Sequence, residues 1–306
     1  MWFGIYFVDR RDWLKSKSLW LLRRRSGDAE MSEMKPSFYD THAHLDFPEF
    51  ENDVPAIVAR AQEAGITKIV TIGTTLEKSR RAIALAEQFP NVFAAIGWHP
   101  SHVTEAPGEI VSDLRALARH PKVVAIGEAG LDYSRLPSAS GGSAEDDAQY
   151  KERQKRCFRE QLELATELGL NVIVHQRDSF RDAIEQITPF AGKLRAVFHC
   201  FVGTPAEQKE IAALGFMVSF TGIVTFKNAA TVRETLNGTA LNGFMLETDC
   251  PFLAPVPYRG KRCEPAYVAN IAEFVAREKN CTLEELSRVT CATAESFFRS
   301  KSDTGL

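Results

Sequence analysis

From residue 38 onward the chain alternates short apolar runs with longer amphipathic stretches, and the two patterns demand different elements. Runs such as KIVTIG (68–73), RAVFH (195–199) and FMVSF (216–220) are apolar almost throughout and rich in β-branched or aromatic residues, which marks a strand covered on both faces. Segments of helical period lie between them. The stretch 54–64 carries Ile57, Val58 and Ala61 at helical spacing and stops at Gly65, a residue suited to the left-handed turn that ends a helix. The same reading predicts strands in FYDTHAHLD (38–46) and at 68–73, 92–97, 123–128, 171–175, 195–199, 216–220 and 244–249. It predicts helices at 54–64, 76–89, 109–120, 149–168, 179–188, 205–214 and 229–237, then two closing helices at 265–278 and 282–299. Thr282 and Glu285 stand as a capping box at the start of the last, and the Ser/Gly/Pro-rich stretch 134–147 is the longest internal loop.

Strands buried on both faces and separated by helices form parallel sheets. Eight such units over about 260 residues are the number that closes an α/β fold of the (β/α)8 TIM-barrel type. A doubly wound open sheet would require a glycine-rich phosphate loop after the first strand, and none stands there. Residues 1–35 read differently. WFGIYFV has no basic residue before its apolar run, LWLLRRR carries its charges on the wrong side for a secretory signal, and five acidic residues disfavour a mitochondrial presequence. We expect a leader over 1–35, disordered or loosely docked, with Met31 or Met34 as the working start, and the barrel over 36–306.

Composition narrows the class only a little. With 44% hydrophobic and 25% charged residues, the chain is of ordinary globular type, and no apolar run approaches the ~18 residues of a membrane-spanning helix. The six cysteines show neither CxxC spacing nor the density of a secreted scaffold, so reduced thiols and a cytoplasmic location are expected. Cys200 and Cys250 directly follow His199 and Asp249, and adjacent residues of a strand face opposite ways. Net charge is −3, and because the first 35 residues carry eight Lys/Arg against five Asp/Glu, the remainder stands at −6. Such a balance offers no general attraction for a polyanion. A polyanionic substrate would be held by bound metal and a few local cations.

The candidate chemistry sits at strand ends. In FYDTHAHLD, His42 and His44 are two residues apart, so a strand turns both imidazoles to one side, about 7 Å apart along the backbone. Glu128 ends the fourth predicted strand, His175 the fifth, His199 the sixth and Asp249 the eighth. A closed barrel gathers those ends at one mouth, where barrel enzymes carry their sites. Four imidazoles and two carboxylates form a mixed donor set that suits Zn, Mn, Ni, Co or Fe. Mg fits only with waters completing its shell, and Ca would not choose four histidines. A central carboxylate among six ligands predicts two divalent cations bridged by Glu128, about 3.5–4 Å apart in such sites.

FYDTHAHLD, VVAIGEAGLDY (123–133), NVIVHQRD (171–178), FHCFVGT (198–204) and MLETDCPFLAPVPYRGKRCEP (245–265) follow one another as the signatures of a known family do. From about residue 37 to 299 the chain resembles the TatD family of metal-dependent deoxyribonucleases, in the amidohydrolase superfamily. The resemblance implies a TIM barrel whose divalent metal centre cleaves phosphodiester bonds of DNA, as a 3′ to 5′ exodeoxyribonuclease on single strands or 3′ ends, by attack of a metal-bound water. Carried over by motif, it implies that one metal takes His42, His44 and Asp249, the other His175 and His199, with Glu128 shared. Asp249 would also handle the proton of the attacking water. Two positions depart from the family pattern: Cys263 stands where RGKRNEP has Asn, and Thr293 stands where the closing helix commonly carries Asn. Both concern the loop and packing around the site and leave the ligand set intact.

Other residues at the same predicted mouth are candidates for contact with substrate phosphates: His99 and His102 in GWHPSH, Arg177 in HQRD, and Arg259, Lys261 and Arg262 after strand eight. His120, in ARHP, reads as a partner for a helix C-terminus. Chemistry of the same superfamily also admits deacylation of a D-aminoacyl-tRNA or hydrolysis of a small ester or amide, which fold alone does not separate. A non-catalytic binding barrel would have lost one or more ligands, and all six are present.

Overall fold

Eight parallel strands follow one another around a single sheet in sequence order, each paired with the next. The computed structural model describes residues 36–108 and 110–298; the expected leader, 1–35, lies outside the described residues. The strands are β1 (Phe38–Ala43), β2 (Ile66–Gly73), β3 (Val92–Ile96), β4 (Val123–Asp132), β5 (Asn171–Arg177), β6 (Ala196–Phe198), β7 (Met217–Phe220) and β8 (Phe244–Leu246). The helices that cover them are α1 (Val54–Glu63), α2 (Leu76–Gln88), α3 (Val111–Leu117), α4 (Ala144–Leu168), α5 (Phe180–Ile187), α6 (Pro205–Ala213) and α7 (Ala230–Gly238), followed by α8 (Val268–Lys279) and α9 (Leu283–Phe297). Among the described residues no helix is long and apolar enough to cross a membrane.

Closure of the barrel is made by the residues just beyond β1 and β8. Ala43 bridges Cys250 in parallel, the Asp249 N–H donates to the His42 carbonyl at 2.9 Å, and the His44 N–H donates to the Cys250 carbonyl at 2.9 Å. An (β/α)8 barrel thus forms, nearly closed, as the strand pattern requires.

The core has two layers. Alternate strand residues point inward, among them Val70, Ile72, Ala95, Val124, Ile173 and Met245, and pack with Ala294 and Phe297 of α9. The other strand faces pack against the surrounding helices in one continuous cluster. Burial of Phe297 at 1% exposure contributes roughly 1.5–3 kcal/mol. It also stoppers the amino-terminal end of the barrel, where Glu295 accepts from Tyr39 Oη at 2.8 Å and pairs with Lys68 at 2.7 Å. The candidate ligands lie at the opposite, carboxyl-terminal mouth.

Several boundaries differ from the sequence reading, each for a local reason. α4 begins at Ala144, five residues before the expected start, because Ser143 and Asp146 form a reciprocal capping box. The stretch read as one long loop therefore shrinks, and it also holds a 3-10 turn at Pro137–Ser140. At α9 Thr282 accepts from the Glu285 N–H, but among the described hydrogen bonds the return bond of the expected capping box is not made. β6 and β8 stop earlier than expected, at Phe198 and Leu246, while β4 and β5 run on to Asp132 and Arg177.

Candidate metal centre

The six strand-end residues reach one another by different backbone devices. His42 lies on β1 and His44 one residue past its end, after a register irregularity between Asp40 and Ala43, and their Nε2 atoms stand 3.3 Å apart. Asp249 lies three residues past β8 at φ 59°, a left-handed conformation that Asp tolerates better than most residues. There its Oδ1 stands 3.3 Å from His44 Nε2 and 3.7 Å from His42 Nε2. His199 follows β6 directly, and Cys200 at φ 46° turns the chain away behind it.

Glu128 does not end β4. Between Ile126 and Ala129 the register with β5 slips by one residue, and such a bulge re-aims the side chain it contains. The Glu128 Oε2 faces His42 Nε2 at 3.5 Å and His44 Nε2 at 3.7 Å. Its Oε1 faces His175 Nδ1 at 2.6 Å and His199 Nε2 at 2.7 Å. One carboxylate therefore divides its two oxygens between two groups of donors. Gly130, two residues on, makes the close approach of β4 and β5 possible: at φ +152° a Cβ there would stand 2.0 Å from the His175 carbonyl oxygen.

The electrostatics call for added positive charge. Among the described ion pairs, those of Glu128, Asp132, Glu247 and Asp249 are all with histidines. Burial would lower His199, but Glu128 and Glu247 hold it well above the ordinary imidazole value. Against the same burial, Asp249 raises His44 and Asp132 and Glu128 raise His175. Burial would raise Glu128, yet the charge of His199 and hydrogen bonds from His175 and His199 hold it well below the carboxylate range. Burial and the His199 charge lower His42.

This donor set fits divalent cations. Two imidazole nitrogens 3.3 Å apart can share at most one proton, whereas a cation accepts both lone pairs. His42, His44 and Asp249 offer donor atoms within 4.8 Å of one another, as do His42, Glu128 and His199, and His99, Glu128 and His175.

His99 enters this geometry in a way its sequence position did not indicate. Its Nε2 lies 3.3 Å from Glu128 Oε1 and 3.2 Å from His175 Nδ1, while its Nδ1 accepts from the Ser101 N–H at 3.1 Å. Burial, outweighing the attraction of Glu128, pushes it down to about 4. A neutral ring accepting at Nδ1 carries its proton on Nε2, so His99 turns that proton toward Glu128 and His175.

Two further carboxylates escaped the sequence reading. Asp132 Oδ2 stands 3.1 Å from His175 Nε2, and Glu247 Oε1 stands 3.5 Å from His199 Nδ1 while accepting from the Cys200 N–H at 2.7 Å. Partners of this kind orient a ligating imidazole. Neither carries a periodic mark in the sequence: Glu247 lies past β8, and Asp132 follows the bulge at Glu128. The remaining candidates spread over the rim. Arg177 is exposed at the end of β5, two residues beyond His175. His102 faces Glu105 at 3.5 Å, its ring 6.3 Å from that of His99. Arg259 lies over the Phe226 ring at 3.6 Å, and Lys261 is exposed. Arg262 is engaged elsewhere, donating to the Glu49 carbonyl at 2.7 Å and to Asp53 at 2.5 Å. His120 pairs with Glu87 at 3.0 Å.

A closed (β/α)8 barrel whose carboxyl-terminal mouth gathers histidines and carboxylates in this way has the architecture of a metal-dependent hydrolase. The chain belongs to the TatD family: the family described as TatD related DNase matches residues 39–299. It is 37% identical over 262 residues to the uncharacterized metal-dependent hydrolase YabD of Bacillus subtilis, covering 85% of this chain and 98% of that protein. It is 34% identical over 267 residues to the 3'-5' ssDNA/RNA exonuclease TatD of Erwinia tasmaniensis, covering 85% and 99%. Among solved structures, the TatD homolog YjjV of Escherichia coli superposes with a TM-score of 0.77 at 29% identity, covering 85% of this chain and 97% of that one.

Proposed function

We propose that this hydrolase cleaves phosphodiester bonds of single-stranded DNA from the 3′ end, with two divalent cations held by His42, His44 and Asp249 on one side, His175 and His199 on the other, and Glu128 between them. The observation that carries the reading is the division of the Glu128 oxygens between two donor groups, the arrangement a pair of cations needs. Cations bound there would polarise the phosphoryl group and acidify a water, whose pKa falls from ~15.7 toward about 7 in favourable sites.

The chain's own residues supply the rest. Asp249, whose Oδ1 faces His44 and His42, takes the proton of the attacking water. Asp132 and Glu247 keep the His175 and His199 rings in place. Arg177 sits on the same strand face as His175, one step further out, and with Lys261 offers charge to the phosphates of the strand. Relatives such as the Erwinia tasmaniensis protein, named as a 3'-5' ssDNA/RNA exonuclease, support this choice over deacylation of a D-aminoacyl-tRNA or hydrolysis of a small ester.

The test sets the metal-loaded protein against 5′-labelled single-stranded DNA, the same strand with its 3′ end blocked, a D-aminoacyl-tRNA and a chromogenic ester. Stepwise shortening of the free 3′ end, and much slower attack on the blocked strand, is expected. Turnover of the tRNA or the ester with intact DNA would overturn the reading.

A further inference from the structure

An exposed aromatic ring stands beside the metal centre and takes no part in the chemistry described so far. Phe252 follows Asp249 by three residues and donates its backbone N–H to the Asp249 carbonyl at 3.1 Å, yet its side chain remains 48% exposed. It is not a loosely held loop residue. The next residue, Leu253, has φ 58°, and its carbonyl oxygen packs so closely on Gly222 that a Cβ there would lie 2.1 Å away. Cys263 donates to the Pro251 carbonyl at 2.9 Å, and Val256 donates to Thr225 Oγ1 at 2.9 Å.

The ring is also the outer end of an aromatic ladder that starts at a candidate ligand. His44 and Phe47 have ring centroids 4.8 Å apart, and Phe47 meets Phe252 edge-on at 5.7 Å. Lys78 Nζ lies 4.5 Å from the Phe47 ring. A protein partner needs about 800 Å² of surface on each side of an interface, far more than one ring offers. A single nucleobase matches it.

We propose that Phe252, supported by Phe47, is a stacking platform for the base adjacent to the bond being cleaved, and that the site selects unpaired strands through it. This rests on the nucleic-acid substrate proposed above. In a duplex each base is already stacked and paired, so only an unpaired end can swing its base onto the ring. Stacking tolerates any base, because every base has a π-face. The platform therefore selects strandedness and leaves sequence unread. The ladder ties the ring to the metal centre, and Lys78, beside Phe47, offers charge to the strand's phosphates.

The experiment compares wild type, Phe252→Ala and Phe252→Trp on single-stranded DNA and RNA oligonucleotides. One set carries all its bases and another an abasic residue at the terminal or penultimate 3′ position. Phe252→Ala is expected to lose about 10-fold or more in kcat/KM on the complete strand, the scale of one base–aromatic stack. On the strand lacking that base it should equal wild type, with unchanged metal content, and Phe252→Trp should retain full activity. A phosphorothioate oligonucleotide carrying 2-aminopurine at the same position should lose fluorescence on binding wild type and keep it with Phe252→Ala. Activity of Phe252→Ala within twofold of wild type on the complete strand, or an equal loss on both strands, overturns the platform while leaving the nuclease reading standing. A metal-loaded wild type that cleaves neither DNA nor RNA overturns both.

Discussion

Replacing Gly130 by alanine should disable the centre without altering any side chain that lines it. Gly130 pairs with His175 across β4 and β5, and at φ +152° an added Cβ would lie 2.0 Å from the His175 carbonyl oxygen, where contacts under 3.0 Å essentially never occur. β5 must therefore retreat by about 1 Å at His175, and misplacement on that scale costs a catalytic site on the order of 10²-fold. The backbone conformation itself costs an L-residue about 1–3 kcal/mol, and overpacking adds about 1–3 kcal/mol. Together these lower the melting temperature by roughly 5–20 °C at about 2–4 °C per kcal/mol for a domain of this size. The assay is calorimetry, metal content and oligonucleotide cleavage on one preparation of Gly130→Ala. Gly238→Ala serves as control, since a Cβ at that position meets nothing within 4 Å. A Gly130→Ala protein with melting temperature within 2 °C and kcat/KM within threefold of wild type would refute the steric reasoning.

Three other outcomes follow from the same geometry. Asp249→Asn keeps the size and one coordinating oxygen of the residue but removes the base, so single-turnover cleavage should fall by roughly 10² or more while most of the metal stays bound; cleavage within a few-fold of wild type on a metal-replete sample would reduce Asp249 to a ligand. Asp132→Asn leaves His175 Nε2 without its carboxylate partner, and metal affinity, read by competition with a chelator, should weaken by about 10- to 100-fold. A chain begun at Met34 retains every described strand and helix, so its melting temperature and activity should match those of the full chain; a drop of many degrees would show that residues 1–35 stabilise the barrel.

The barrel was legible because its two signals are periodic. Apolar runs and helical stretches alternate regularly enough to count eight units, and a helix stop such as Gly65, at φ 86° in the structure, stood in the sequence. That His42 and His44 belong to one site was equally readable from their spacing, although His44 itself falls one residue past β1. What the sequence concealed came from aperiodic backbone. The bulge that splits the Glu128 oxygens between two donor groups, and the left-handed turns at Cys200 and Asp249, leave no mark in hydrophobic pattern. Asp132 and Glu247 were hidden for a different reason: a buried carboxylate facing a histidine looks like any other acidic residue until the strands are closed. His99 was read as a phosphate contact, and its place beside Glu128 and His175 depends on a local turn closed by Ser101 that leaves no mark in the pattern.

The central claim is that Glu128 joins two cation sites, and the metal content of purified variants tests it most directly. Elemental analysis should find two divalent cations per chain in wild type, depletion at both sites in Glu128→Ala, and loss of mainly one cation in His175→Ala, because the Glu128 oxygens face both donor groups and His175 only one. Two full equivalents retained in Glu128→Ala would contradict the account.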